Sequence, residues 1–297
     1  MEIKAVESRG FSMEQLYALI NQSRQNISQG EKRTRDRREL LKAVEQIVLK
    51  HRLTHKKAGS RIIYFSMKVK DQLGIGINTF EQMVKECGLG IKRARSWMRT
   101  SDRCSRSKEY CNLINGLVLD GPNQLIVCDL TYVLAPNRYY VFAIKDVYTG
   151  LLVGLSGCTR MTVEVAIIAL LQLFELRGPG PFLYLIHHTD GGSQYFADKY
   201  LQILKGMGIR SSVANTCLEN GYAEQVNHII KNNYLRFLDL GNIKAFQKSL
   251  LRTKEIYNNE RIQKGLGYRT PVEYEKYIMS LDKDQRPQMR LYDFNNN

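Results

Sequence analysis

Apolar residues recur at helical spacing through the first third of the chain and in short strand-like runs after residue 120. Met13 to Ile20 is a short amphipathic stretch behind Ser12, a fitting N-cap. Asn21 to Gly30 is polar and holds Arg24. From Glu31 onward, Leu40, Leu41, Val44, Ile47, Val48 and Leu49 return at helical spacing, with basic residues on the other faces, which predicts a long amphipathic helix. Ile62 to Leu73 predicts another helix, broken by Gly74 and Gly76. Thr79 to Cys87 predicts a short one stopped by Gly88. Two helices across a Gly-containing turn fit a helix-turn-helix, a pattern shared with many small helical domains.

Beyond Pro122 the runs Gln124 to Val133, Tyr139 to Val147 and Leu151 to Cys158 are rich in β-formers. They are divided by Ala135-Pro136-Asn137 and Tyr148-Thr149-Gly150, which predicts an antiparallel meander. An apolar helix follows (Val163 to Leu176), then a break at Gly178-Pro179-Gly180, a strand (Phe182 to His188) and a helix (Tyr195 to Met207). A strand (Ile209 to Ala214) and a long helix (Asn220 to Leu238) complete the pattern. This order predicts an α/β mixed sheet flanked by helices, preceded by an all-α region.

Charge separates the same two parts. The chain carries a formal net charge of +15. Residues 1–110 hold 24 Lys and Arg against 12 Asp and Glu, a net +12; residues 111–297 hold 20 against 17, a net +3. A basic first part joined to a nearly neutral remainder points to one region that grips a polyanion and another with a different task. Residues 91–110 are basic and Ser-rich, and read either as a plain linker or as a segment laid along DNA. No run approaches the roughly 20 apolar residues of a membrane helix, and the amino terminus has no secretory pattern, so a cytoplasmic protein is expected. The six cysteines form no CxxC pair and are expected as reduced, buried or half-buried thiols. His51 and His55, four residues apart, read as helix-surface histidines rather than metal ligands.

Three carboxylates stand out. Asp129 lies inside the apolar run LIVCDL, a central strand where an ionised Asp requires a partner or a metal. Asp190 ends the apolar stretch FLYLIHHT before Gly191-Gly192, at a strand's carboxyl end, where open sheets bind ligands. Glu224 shares a stripe of the last helix with His228 and Lys231, while Val226, Ile230 and Phe237 share the buried one. Carboxylates from two strands and a helix suit a pair of hard divalent cations, and Lys231 and His228 would then hold a phosphate beside them. The competing readings are an edge-strand Asp129, a turn-forming Asp190 and an ordinary exposed Glu224. Asp146, Glu175 and Glu219 are rival carboxylates.

IVCDLTYV, HHTDGGSQY, GYAEQVNHIIKNNYL and YNNERIQKGLGYRTPVEY resemble, in order, successive blocks of the retroviral-integrase-like DDE transposases. The likeness is strongest to the second-frame (OrfB) transposase of IS-three-type bacterial insertion sequences, and runs from about residue 12 to 277. It implies an RNase H-like core with Asp129, Asp190 and Glu224 on the family's metal-binding triad. It also implies an upstream helix-turn-helix region and a closing YNNxRxxxxLGYxTP segment from Tyr257 to Pro271. Between Asp190 and Glu224 lie 33 residues, where the family commonly has about 35. Ile126 and Cys128 replace the Trp and polar residue often found around the first Asp.

The resulting expectation is a helical DNA-binding region (1–90), a basic linker (91–120), an RNase H-like integrase core with closing helices (121–280) and a polar tail (281–297). Its activity would be Mg²⁺-dependent strand cleavage and strand transfer, with two ions per site and Mn²⁺ able to substitute. Arg24, Lys92, Arg93, Arg95, His228 and Lys231 are the expected DNA contacts. The expected partners are the element's terminal repeats, target DNA, further copies of the chain on DNA, and the upstream-frame product as a frameshift fusion. The expected location is the bacterial nucleoid. The alternatives are a catalytically impaired, transposase-derived DNA-binding regulator and an RNase H-like nuclease.

Overall fold

The computed structural model describes residues 12–91, 108–134, 138–238 and 241–293. The amino-terminal part is helical: α1 (Met13–Leu19), α2 (Arg24–Thr54), α3 (Ser60–Ser66), α4 (Val69–Leu73) and α5 (Ile77–Glu86). Helix α2 begins seven residues before the apolar pattern predicts. Ser23 caps it, accepting the Asn26 amide at 3.1 Å. Apart from half-buried Ile27, residues 24–39 are exposed, so no apolar stripe announces this half. Val44 and Val48 then meet Ile63, Val69, Phe80 and Val84 in a small core. The expected helix from Ile62 to Leu73 is two helices, because Lys68 takes a left-handed conformation (φ 48°) between them.

The second part is built on a mixed sheet of β2 (Leu125–Leu134), β3 (Arg138–Asp146), β4 (Leu152–Cys158), β5 (Ile186–Thr189) and β6 (Arg210–Val213). A short β1 (Val118–Leu119) precedes it. The strand order is β4-β3-β2-β5-β6; β2–β3 and β3–β4 are antiparallel, β2–β5 and β5–β6 parallel. Strand β2 is therefore central, as its apolar sequence predicts. Successive side chains alternate between faces. Ile126 and Cys128 pack with α6 (Val163–Arg177) and α7 (Asp198–Gly206). Leu125, Val127 and Val133 belong to the layer of α8 (Gly221–Ile229), α9 (Ile243–Asn259) and α10 (Pro271–Met279). Parity assigns Asp129 to that second face.

Four further expectations are corrected. The strand predicted over Phe182 to His188 begins only at Ile186. Its ladder partners on both sides start there, and Leu183 and Tyr184 turn out to solvent. The last long helix is α-helical only to Ile229, passes through a π turn at Ile230–Tyr234 and ends in a 3₁₀ turn. The wider turn shifts the helical phase, so Phe237, expected on the buried stripe, is exposed. Cys111 is exposed rather than half-buried. His51 and His55 are buried, not on the surface.

Their burial follows from how the two parts meet. His55 Nδ1 pairs with the Tyr234 hydroxyl at 3.0 Å, and the Lys57 amide donates to Asn233 Oδ1 at 3.0 Å. The π turn thus presents Asn233 and Tyr234 to the end of α2. Phe65 packs on Tyr268, ring centres 3.8 Å apart and planes tilted by 31°. Residues 111–119, within the expected linker, bring Ile114 and Leu119 into the core layer. Strand β7 (Met289–Arg290), within the expected polar tail, pairs antiparallel with β1. Among the described residues no helix is long and apolar enough to cross a membrane.

Candidate active site

Asp129 lies mid-way along β2, opposite Ala143 of β3, whose small side chain leaves room on the α8 side. It is half-buried, and its Oδ2 accepts a hydrogen bond from Asn227 Nδ2 at 2.8 Å. Burial pushes its carboxyl up to about 7, and Asp190 and Glu224 add to the rise; the bonds from Asn227 and the Leu130 backbone oppose it. The neighbouring Asn220 Nδ2 donates to the Cys128 carbonyl at 3.3 Å, tying the start of α8 to the same strand.

Asp190 follows the last residue of β5. Its Oδ1 accepts the Gly192 amide at 3.1 Å, and Gly191 between them adopts φ 88°. That conformation favours glycine, so the Gly-Gly pair supplies a tight turn that fixes the carboxylate at the strand end. Glu224 stands in the first turn of α8 and is exposed. Burial of its surroundings and the Asp190 charge raise its carboxyl. The three groups are thus near enough for Asp190 to oppose ionisation of both others. No ion pair reaches Asp129 or Glu224 among the described residues. Nor, among those residues, do three His, Cys, Asp or Glu side chains already stand close enough to hold a metal ion.

Tyr195 is a neighbour that the sequence did not single out. It is buried, and burial together with the Asp190 and Asp129 charges holds its hydroxyl well above the ordinary range. Asn227 was missed as well, although it lies one turn beyond Glu224 on the same helix, where spacing alone could have found it.

Two of the three rival carboxylates have structural partners. Asp146 is buried, accepts the Asn123 and Thr149 amides and faces Arg177 at 3.6 Å. Glu219 accepts from Asn112 and from the Asn215 amide at 2.7 Å, organising the loop before α8. Glu175 is exposed on α6. The two histidines before Asp190 are anchors: His187 meets Cys128 Sγ and the Tyr200 hydroxyl, His188 the Ser212 hydroxyl. Burial holds them neutral, down to about 3 and about 4.

Of the expected DNA contacts, Lys231 is half-buried with its Nζ 4.7 Å from the Tyr132 ring centre, which lies on β2 three residues beyond Asp129. His228 is exposed, its Nδ1 3.2 Å from Asn232 Nδ2. Both lie on the helix and π turn that carry Glu224. Arg24 is not brought to this site. It is exposed in the first turn of α2, about 24 Å along the helix from Leu40. Lys92, Arg93 and Arg95 lie outside the described residues.

Residues 120–216 match the integrase core domain family. The 31 kDa protein of insertion element IS600 from Shigella sonnei is 31% identical over 238 residues, 78% of this chain and 86% of that one. The transposase for insertion sequence element IS629, also from Shigella sonnei, is 29% identical over 77% of this chain and 78% of its own. The chain belongs to the integrase-core transposases of bacterial insertion sequences. The IS904 transposase of Lactococcus lactis is 28% identical over 71% of this chain and 85% of its own. A solved HTLV-2 integrase catalytic core domain in complex with magnesium is 21% identical, with a TM-score of 0.42, over 52% of this chain and 97% of that one.

The work of this transposase is transposition, and its family is one of polynucleotidyl transferases that bind DNA. The integrase core match includes Asp129 and Asp190 and ends before Glu224. The link between Glu224 and the matched region is therefore physical: Asn220 and Asn227, on either side of it, both bond to β2.

Proposed function

We propose that this transposase cleaves and joins DNA through Asp129, Asp190 and Glu224, with divalent metal held between them. What supports the reading is that Asp129 lies on the central strand, Asp190 at the end of its parallel neighbour and Glu224 in the first turn of α8, with the Asp190 charge raising the carboxyls of both others. The donor set fits the group: three hard carboxylates suit Mg²⁺, and mutual repulsion is what a cation relieves. Two Mg²⁺ ions bound there, or Mn²⁺ in their place, supply activation of the attacking oxygen and stabilisation of the leaving oxygen in an in-line displacement.

The chain's own residues prepare that chemistry. Asn227 fixes one oxygen of Asp129 and the turn at Gly191 fixes Asp190. Lys231, whose ammonium lies over the Tyr132 ring, and His228 would hold a phosphate of the bound strand. Water attacks first, breaking a phosphodiester and leaving a 3′-hydroxyl; that hydroxyl then attacks a second phosphodiester and joins the strands. The helical region with Arg24, and the segment with Lys92, Arg93 and Arg95, grip the terminal repeats. Further copies, or a fused upstream-frame product, bring two ends together.

The test is to incubate purified protein and Mg²⁺ with DNA carrying both ends of the surrounding element, beside an Asp190→Asn control, and resolve products on a sequencing gel. Cleavage or joining at the tips, lost in the control and on chelation, is the expected result. An active Asp190→Asn protein overturns the assignment.

A further inference from the structure

A pocket of about 530 Å³ opens where the helical region, α8 and the segment after α9 meet. Lys145, Arg261 and Lys264 line it, with Ile62 of the helical region on one wall and Tyr222 and Gln225 of α8 on another. Lys145 is only 4% exposed. An ammonium in such a place costs several kcal/mol unless a counter-charge accompanies it. Among the described residues no carboxylate stands within ion-pair distance of Lys145, Arg261 or Lys264.

The neighbouring carboxylate along β3 is committed elsewhere. Asp146, next along β3 and so directed to the opposite face, accepts two backbone amides and faces Arg177. Burial draws the Lys145 ammonium down to about 8; Asp146 opposes this and the Arg261 charge adds to it. Arg261 is thus near enough to repel Lys145, and its charge also opposes protonation of His51 and His55. Its Nε is buried without an acceptor. Three cationic residues that line one cavity without a paired carboxylate form a site that an anion completes.

We propose that this pocket is a phosphate-binding subsite that takes a backbone phosphate of the bound DNA strand. The proposal rests on the reading of the chain as a DNA-cutting transposase and adds where a strand is held. Tyr222 and Gln225 flank Glu224 in sequence but stand about 160° and 100° round α8 from it, so a phosphate here is gripped on a different face of the helix that carries the third carboxylate. Ile62 on the opposite wall makes the same phosphate a bridge between the helical region and the core. A strand engaged at the carboxylates would therefore also fix the joint of the two parts.

The experiment uses the full chain and measures how DNA affinity depends on salt. Each phosphate contact contributes about 0.9 to the slope of log affinity against log salt concentration on duplex DNA. Lys145→Met, Arg261→Gln and Lys264→Gln are compared with Lys248→Gln, an exposed residue outside the pocket. The expected result is a slope reduced by about one in each pocket variant and unchanged in Lys248→Gln. Inorganic phosphate at constant ionic strength is expected to raise the melting temperature of the wild type and of Lys248→Gln more than that of the pocket variants. Lys264 is exposed, so its variant keeps the test decisive where a buried substitution fails to fold. Slopes and phosphate responses that match the wild type in all folded pocket variants overturn the proposal, as does an equal change in Lys248→Gln. Binding is read without chemistry, so the two readings fail separately. Altered slopes with no tip cleavage by the wild type would sink the activity but leave the subsite. Cleavage with unaltered slopes would do the reverse.

Discussion

Asn227 donates from Nδ2 to Oδ2 of Asp129 at 2.8 Å, joining the helix of Glu224 to the strand of Asp129. The bond holds one carboxylate oxygen in place and tethers α8 one turn beyond the other carboxylate. Partners that orient metal-ligating groups commonly change affinity or activity 10–100-fold when removed. Asn227→Ala is expected to lower tip cleavage by about that factor and to raise the Mg²⁺ concentration needed for half-maximal rate. DNA affinity should stay near wild type. Unchanged Mg²⁺ dependence would show that the bond does not position Asp129.

Asp129 makes stability depend on pH in a direction opposite to most carboxylates. Its carboxyl is raised to about 7 in the folded chain, against about 3.9 when unfolded. Both states hold the proton below pH 4; as pH rises toward 7 the unfolded chain releases it first, and folding loses up to about 4 kcal/mol. Asp129→Asn is therefore expected to raise the melting temperature of the metal-free protein at pH 7.5, with no gain at pH 4, while abolishing cleavage. Mg²⁺ should raise the wild-type melting temperature and leave the variant's alone. A variant no more stable than wild type at pH 7.5 would contradict the strain inferred at this carboxyl.

Buried histidines set an acid limit. Burial first, then Arg261, lowers His51 to about 4; His55 falls to about 3 through burial, His51 and Arg261. A lowered histidine contributes stability that is complete above about pH 6.5 and is lost as pH falls toward the folded value. Melting temperature should therefore decline from pH 6.5 to 4.5. His51 Nδ1 is buried without a hydrogen-bond partner, so His51→Leu should fold. Its decline should be shallower by up to about 1.4 kcal/mol per pH unit. Equal slopes in the two proteins would remove His51 from the account.

Gly154 of β4 faces α6 so closely that a Cβ would stand 2.3 Å from the Ala169 carbonyl oxygen. That backbone belongs to the middle of α6 and cannot yield without moving the helix. Gly154→Ala is expected to cost about 3 kcal/mol or more, seen as a lowered denaturation midpoint or as insoluble protein. A midpoint within error of wild type would mean that α6 is free to shift from the sheet.

What the sequence determined was whatever depends on neighbours along the chain. The apolar run around Asp129 marked a central strand, and alternation of strands and helices after residue 120 marked a mixed sheet. The Asp190-Gly-Gly turn was legible because a left-handed residue after a strand calls for glycine. The ordered motifs supplied the family. The tertiary structure decided what depends on partners distant in sequence. Helix α2 starts at Arg24 without any apolar stripe to announce it. Asn233 and Tyr234 reach the end of α2 because a π turn shifts the helical phase, and that contact buries His51 and His55 in a basic segment that looked exposed. Met289 and Arg290 form a strand because β1 offers an edge. Asn227 finds Asp129, and Lys145 finds Arg261, only when α8 and the closing segment lie against the sheet. Local periodicity encodes which face of an element is buried; it does not encode which side chains from another element meet it there.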